Sequence, residues 1–394
     1  MSDQLVDIPA ITDASFADLL ADPYPIYERA RALGPVVRVE AAGLPLVTGY
    51  DDIIAIERDP GTFSSVIPES NVVRMFGTNL MRKDGEDHKA ERQAIDPSVR
   101  PGTAKRCWAP RIEAIVDEVL GEVEGKGRAD LFETVASPIS GRALAEVVGF
   151  RDTDWRTIAR WSQNMIDGSA NYSGDPAVTE RALETGREIE AAVDRSLAAL
   201  AEAPDDSMLS SMQGAGLTPS QIYGNAKVAV GGGFNEPRDA LLSLALGLLT
   251  NPDQLRAVLA DGDLWPTAFE ETVRWISPIG MYPRKLTRDA EVGGSLLPAG
   301  TLIGLSVAAA NREPGRYDAP DRFDIFRKNM RHLAFGSGPH FCAGTWVARL
   351  MIGRIAAPRL FARLRNLRLT DPDAVTIRGW VFRGPTRFPA EWDT

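Results

Sequence analysis

A mainly α-helical domain with a small β portion, an α+β chain, is what this sequence predicts, and the spacing of its apolar residues is the main reason. Ile112, Ile115, Val116, Val119, Leu120 and Val123 recur at i, i+3, i+4, i+7, i+8 and i+11, the stripe that one buried face of a helix needs. Ile189, Val193, Leu197 and Leu200 repeat it less cleanly. Strand signals are confined to residues 36–49 and 284–305, where alternation is broken by glycine pairs, with a further short pair within 375–392. No internal repeat, Ser/Gly linker or low-complexity tract marks a boundary, so residues 1–394 read as a single domain.

Composition narrows the function. Charged residues make up 25% of the 394 and hydrophobic ones 44%, which excludes a disordered, collagenous or coiled-coil chain. A net charge of −10 argues against a broad basic face for phosphates, so no nucleic-acid partner is expected. The longest apolar run, 240–249, is far short of the ~20 residues a membrane span needs. The chain start lacks the basic and apolar regions of a signal peptide. A cytoplasmic monomer with no membrane association is the expectation. Two cysteines, Cys107 and Cys342, cannot build a disulfide framework or a four-thiolate site, and Cys107 reads as a small buried hydrophobe. Histidine is scarce, with only His88, His332 and His340.

Residues 218–250 read as one long helix with a defect. Thr218 is a good N-cap, Pro219 suits the first helical position, Gln221 completes a capping box, and Asn251-Pro252 is a stop. The middle, however, runs Gly231-Gly232-Gly233-Phe234-Asn235-Glu236-Pro237, which carries a propensity penalty on the order of 6 kcal/mol. Pro237 has no N–H for the Gly233 carbonyl, and the missing side chains at 231–233 let a flat ligand approach the backbone. The alternative is a loop between two ordinary helices.

Residues 335–344 read Phe-Gly-Ser-Gly-Pro-His-Phe-Cys-Ala-Gly and lead at once into an amphipathic helical run. The glycines permit a tight loop, and Cys342 sits at the helix entrance, where backbone N–H groups and the macrodipole favour a thiolate. A thiolate so placed can ligate a metal.

This loop resembles the haem-binding loop of the cytochrome P450 superfamily at Phe335, Gly336, Gly338, His340, Cys342 and Gly344. Glu271-Thr272-Val273-Arg274, lying 71 residues before the cysteine, is similar to that family's Glu-x-x-Arg pair, and residues 310–314 and 320–324 resemble the segment that completes its salt-bridge cluster. His88 and Arg92 are similar to its His-x-x-x-Arg. The resemblance implies a triangular helical prism around haem b (iron protoporphyrin IX), with Cys342 as axial ligand. It implies His88, Arg92, Arg284, His332 and His340 as propionate donors, Phe335 as a further cofactor-binding residue of the loop, and Glu271 with Arg274 as a structural pair. Thiolate ligation implies oxygen activation, hence oxidative hydroxylation or dealkylation.

The likeness has one departure. Most members carry an acid followed by threonine in the middle of the long helix, and here those positions are Asn235 and Glu236. A rearranged relay of Asn235, Glu236 and a water on the Gly233 carbonyl would replace them. Members that share the departure include bacterial O-demethylases of guaiacol- or syringol-type methoxyphenols and haem domains with an Asn-Glu-Pro-Arg motif; residues 379–385 resemble both. That branch implies a pocket for a small aromatic substrate formed by Phe76, Gly232, Ile279 and Phe382, with O-demethylation as the reaction and hydrogen peroxide as an oxidant it could use. A hydroxylase of another small hydrophobic or natural-product substrate is the alternative, and a non-catalytic haem carrier or sensor a remote one. No fused reductase is read, so a ferredoxin or flavin reductase partner is needed unless peroxide serves. Arg349, Arg354, Arg359, Arg363 and Arg365, with Lys105 and Arg106, would steer an acidic partner.

Overall fold

The computed structural model describes residues 8–172 and 174–394; the chain start up to residue 7, on which the signal-peptide reading falls, lies outside them. Two compact units are present, and each is assembled from separated segments. The first contains residues 8–67, Glu270–Cys342 and Thr376–Thr386; the second contains Pro68–Phe269, Ala343–Val375 and Arg387–Thr394. Because the segments interleave, no linker in the sequence separates the units.

The first unit is built on a six-stranded sheet in the order Ala10–Ile11, Val36–Val39, Leu44–Val47, Leu302–Leu305, Tyr282–Leu286 and Phe63–Ser64. Gly43, at φ 72°, turns the chain between the antiparallel strands that set Val36 opposite Val47. Alternating side chains from these strands enter two cores, with Val36, Val47, Ile303 and Leu305 in one and Val37, Val39 and Leu46 in the other. Both faces of the sheet are therefore covered. The glycine pair Gly293-Gly294 (φ 53° and 81°) closes the two-residue hairpin between Ala290–Val292 and Ser295–Leu297.

The C-terminal turn of this unit depends on Gly379, at φ 105°, where a Cβ would lie 1.7 Å from the Phe382 carbonyl oxygen. Gly379→Ala is expected to lower stability by about 3 kcal/mol, from strain and a backbone clash together. Gly43→Ala, at a less strained positive φ of 72° and with nothing within 4 Å of the added atom, should cost clearly less. Thermal unfolding of the two variants side by side checks the difference.

The second unit is helical, with one three-stranded sheet in the order Arg365–Leu369, Pro389–Asp393, Arg128–Asp130. Helix Ala109–Val123 buries all six residues of its predicted stripe, and Pro176–Glu202 buries Ile189, Val193 and Leu200 while Leu197 is half-buried. The predicted long helix is two helices, Pro219–Gly233 and Asn235–Leu249, broken at Phe234 (φ −108°, ψ −58°). The Thr218–Gln221 capping box forms, and Pro252 opens the next helix, Pro252–Ala260. The Ser140 hydroxyl donates to the Phe234 carbonyl at 2.6 Å, so a side chain satisfies a group at the break. Cys107 is not a core residue: it is half-buried in the π-turn Ala104–Trp108, and its thiol donates to Asp206 Oδ2 at 3.0 Å. Trp108 takes the interior place beside it, its indole donating to the Ser98 carbonyl at 2.7 Å. Among the described residues no helix is long and apolar enough to cross a membrane.

Candidate functional site

The cysteine loop belongs to the first unit. Gly336 and Gly338 adopt φ 68° and 64°, and a Cβ at Gly338 would lie 2.3 Å from the Glu57 carbonyl oxygen. Only glycine allows the loop to press onto the end of helix Tyr50–Arg58 in this way. The Cys342 N–H donates to the Phe335 carbonyl at 2.9 Å and closes the loop. The Cys342 side chain is exposed and in no disulfide, an unusual setting for a residue type that is normally buried. Helix Thr345–Leu350 starts three residues on and runs on through Met351–Ala356 and Ala357–Arg363. Among the described residues no group of three His, Cys, Asp or Glu side chains could hold a metal. A single thiol at a helix entrance suits a metal that brings its remaining ligands with it, as the iron of a porphyrin does, so the donor set fits haem.

The Glu271–Arg274 pair lies on helix Trp265–Ile276. Both side chains are fully buried and meet in a bidentate ion pair, with Nε to Oε2 and Nη2 to Oε1 both at 2.7 Å. The remaining guanidinium hydrogens go to the carbonyls of Asn311 (2.8 Å), Pro320 (2.9 Å) and Arg322 (3.1 Å), and the Asp324 N–H donates to Glu271 Oε1 at 2.8 Å. Residues 310–314 and 320–324 thus complete the cluster as their resemblance implied. Asn311 extends it: its side chain donates to Ser277 Oγ and accepts the Leu333 N–H at 2.7 Å, two residues before the loop begins. Sequence reasoning missed Arg327, a second buried cation 3.4 Å from Glu271 Oε2, because nothing local distinguishes it from a surface arginine.

The same unit carries three of the expected propionate donors. Arg284, on strand Tyr282–Leu286, is 5% exposed, and its Nη1 donates to the Pro283 carbonyl at 3.0 Å. His332 engages both ring nitrogens, Nε2 with Glu270 Oε2 at 3.0 Å and Nδ1 with the Ala334 N–H at 3.2 Å, so a propionate reaches it only by displacing Glu270. His340 is half-buried in the turn Gly338–His340, and the Phe335 ring lies 5.9 Å from that of His332. Ile279 and Phe382, both half-buried, are brought together across an isolated antiparallel bridge.

In the second unit, helix Gly85–Val99 carries buried His88 and, one turn on, Arg92, which pairs with Asp96 at 2.8 Å. The broken helix presents three different glycine environments. A Cβ at Gly231 would lie 2.9 Å from the Phe76 ring, one at Gly233 would lie 2.6 Å from Leu144, and one at Gly232 would meet nothing within 4 Å. Phe76 therefore packs on Gly231, Gly233 makes room for Leu144, and only the exposed face at Gly232 is open to a flat ligand. Past the break, Asn235 is 4% exposed, and among the described residues neither its Oδ1 nor the two buried carboxylate oxygens of Glu236 have a hydrogen-bond partner from another residue. Burial pushes the Glu236 carboxyl up to about 8, with Asp239 adding to the effect and Arg238 opposing it.

The expected basic cluster is smaller than the sequence suggests. Arg359 lies 3.5 Å from Glu113 and 3.3 Å from Asp117, Arg363 pairs with Glu124 at 2.7 Å, and Arg106 pairs with Asp206 at 2.9 Å. Acidic residues on helix Ala109–Val123 and nearby neutralise these arginines, leaving Lys105, Arg354 and Arg365 as exposed cations, with Arg349 half-buried and donating to Thr345 Oγ1 at 2.7 Å.

The profile described as Cytochrome P450 matches residues 263–369. The chain is 30% identical to the cytochrome P450 monooxygenase PikC of Streptomyces venezuelae over 95% of its own length and 92% of that protein's. It is likewise 30% identical to 6-deoxyerythronolide B hydroxylase of Saccharopolyspora erythraea, over 99% and 100%. Its fold matches that of P450BioI, solved in complex with hexadec-9Z-enoic acid ligated acyl carrier protein, with a TM-score of 0.88 at 27% identity over 96% and 100%. The pressed glycine loop, its exposed thiol and the buried Glu271–Arg274 pair occur in a chain whose whole length aligns with such enzymes, and this protein belongs to the cytochrome P450 family of haem b monooxygenases.

Proposed function

We propose that this monooxygenase oxidises a C–H bond of a small hydrophobic substrate at a haem ligated by Cys342, and that Glu236 moves the protons the reaction needs. The observation that carries the proposal is the buried Glu236 carboxyl, which among the described residues takes no hydrogen bond from another residue and lies four residues from the open face at Gly232. When bound, the haem supplies oxygen activation, which its thiolate ligand promotes. The residues we assign to the propionates are Arg284, His340, His88 and Arg92, with His332 on release from Glu270. Phe335 completes the loop's contribution.

Glu236 stands where an alcohol is expected, and a carboxyl suits hydrogen peroxide, taking a proton from one oxygen and returning it to the other. Asn235 holds the adjacent polar position. With its pKa near 8, the carboxyl is mostly protonated at about pH 7. A base must be ionised to act, so peroxide-driven turnover should rise with pH up to about 8. Glu236→Gln is expected to lower that turnover about 10²-fold and to flatten its pH dependence, while Glu236→Thr restores turnover with oxygen and a ferredoxin or flavin reductase partner. Wild-type rates and an unchanged pH profile in the Gln variant would contradict the role.

O-demethylation of a methoxyphenol is the specific reaction we assign. Ile279 and Phe382, two half-buried apolar residues paired through a backbone bridge, support a small aromatic guest. Hydroxylation of a larger natural product is the second reading, favoured by the full-length likeness to 6-deoxyerythronolide B hydroxylase. Titrating guaiacol, syringol and 6-deoxyerythronolide B while watching the haem spectrum for loss of iron-bound water separates the two. Formaldehyde release follows only from the first.

A further inference from the structure

A buried carboxylate outside the family motifs sits against the cysteine loop. Glu57 is 3% exposed near the end of helix Tyr50–Arg58. Its Oε1 accepts from the Tyr282 hydroxyl at 2.6 Å and lies 3.8 Å from Arg284 Nη2. A Cβ added at Gly336 would come within 3.1 Å of that same oxygen and 3.3 Å of the Tyr282 hydroxyl. The backbone carbonyl of Glu57 meets Gly338 as described above. Burial raises the Glu57 carboxyl above its ordinary range, while the Tyr282 hydroxyl, Arg284 and the Ser337 N–H hold it down. Loop, strand arginine and carboxylate thus form one packed cluster within the first unit.

We propose that Glu57 is a positioning residue for Cys342: it pins the Gly336–Gly338 turn and fixes both the orientation and the effective charge of Arg284. The proposal rests on the reading of Cys342 as the iron ligand. It assigns Glu57 a role of the kind played by groups that orient a metal ligand from behind and tune the metal through their charge. Two consequences differ from those of a merely structural residue. Glu57→Gln keeps shape and hydrogen-bonding capacity but removes a negative charge and leaves Arg284 unneutralised, which favours the more electron-rich ferrous state. Tyr282→Phe removes one hydrogen bond to the carboxylate and leaves the charge in place.

The test uses haem-loaded wild type, Glu57→Gln and Tyr282→Phe. Three readouts are taken: haem content, the ferric/ferrous midpoint potential, and the rate at which the reduced carbon monoxide complex loses its thiolate-type band in mild guanidinium. The expected result is a positive shift in potential for Glu57→Gln and little shift for Tyr282→Phe. Band loss should be about tenfold faster in Tyr282→Phe, which loses a hydrogen bond to a charged group worth about 1.5 kcal/mol, and faster than in the wild type in Glu57→Gln, where that bond becomes a weaker neutral one. Wild-type potential and wild-type band lifetime in Glu57→Gln would overturn the proposal. If Glu57→Gln does not retain haem, Tyr282→Phe decides by band lifetime, and a wild-type lifetime there overturns it equally. A wild type that lacks the thiolate-type band sinks the reading of Cys342 instead, so the two failures are distinguishable.

Discussion

Arg274→Ala is expected to yield a protein that loses its haem or does not fold. The guanidinium is fully buried and joins five hydrogen bonds, two to Glu271 and three to the carbonyls of Asn311, Pro320 and Arg322. Truncating it leaves the Glu271 carboxylate buried with Arg327 at 3.4 Å as its nearest remaining cation, and strands three carbonyls. Removing one partner of such a pair costs about 3–5 kcal/mol, a large part of the roughly 5–15 kcal/mol that holds an ordinary domain folded. Lysine should not rescue the site, because an ammonium cannot reproduce the planar bidentate fork. Glu271→Ala should behave alike. Since Asn311 ties the cluster to the Leu333 N–H, loosening it also loosens the approach to the cysteine loop. Haem content of the purified variants and their thermal unfolding check the prediction; full haem content with altered chemistry would point to a catalytic role that this geometry does not provide.

Cys342→Ser is expected to abolish substrate oxidation while leaving the fold nearly intact. The side chain is exposed, and substitutions at exposed positions usually change stability by less than about 0.5 kcal/mol. The chemistry is another matter. A serine hydroxyl does not ionise in this pH range, so the anionic sulfur that promotes oxygen–oxygen cleavage is lost. The expected pattern is a wild-type melting temperature in the absence of haem and no measurable turnover in its presence, the inverse of the pattern for Arg274. Unchanged turnover, or a collapse of the haem-free fold, would contradict it.

What was legible in the sequence was whatever is written locally. The stripe from Ile112 to Val123 reports its own helix, the Thr218–Gln221 box its own cap, and the run around Pro237 its own break, because each depends on backbone geometry within one or two turns. The cysteine loop was legible because its phenylalanine, glycines, histidine and cysteine match the haem-binding loop that it resembles, position by position. Pairings across long separations were not. Glu57 meets Tyr282 across 225 positions, and Arg363 meets Glu124 across 239, so nothing near either residue tells a neutralised charge from a free one. The basic cluster was overcounted for that reason. Cys107 was misplaced because a π-turn shifts the helical register by a residue and gives Trp108 the interior position. The two compact units leave no boundary in the sequence because their segments interleave along the chain.

The most direct test of the central claim, that Cys342 presents a thiolate to haem iron, is the spectrum of the reduced carbon monoxide complex, recorded for the haem-loaded wild type and for Cys342→Ser at matched haem content. A thiolate-type Soret band in the wild type and its loss in the variant are the predicted result. Persistence of that band in Cys342→Ser, or its absence from the haem-loaded wild type, would contradict the assignment.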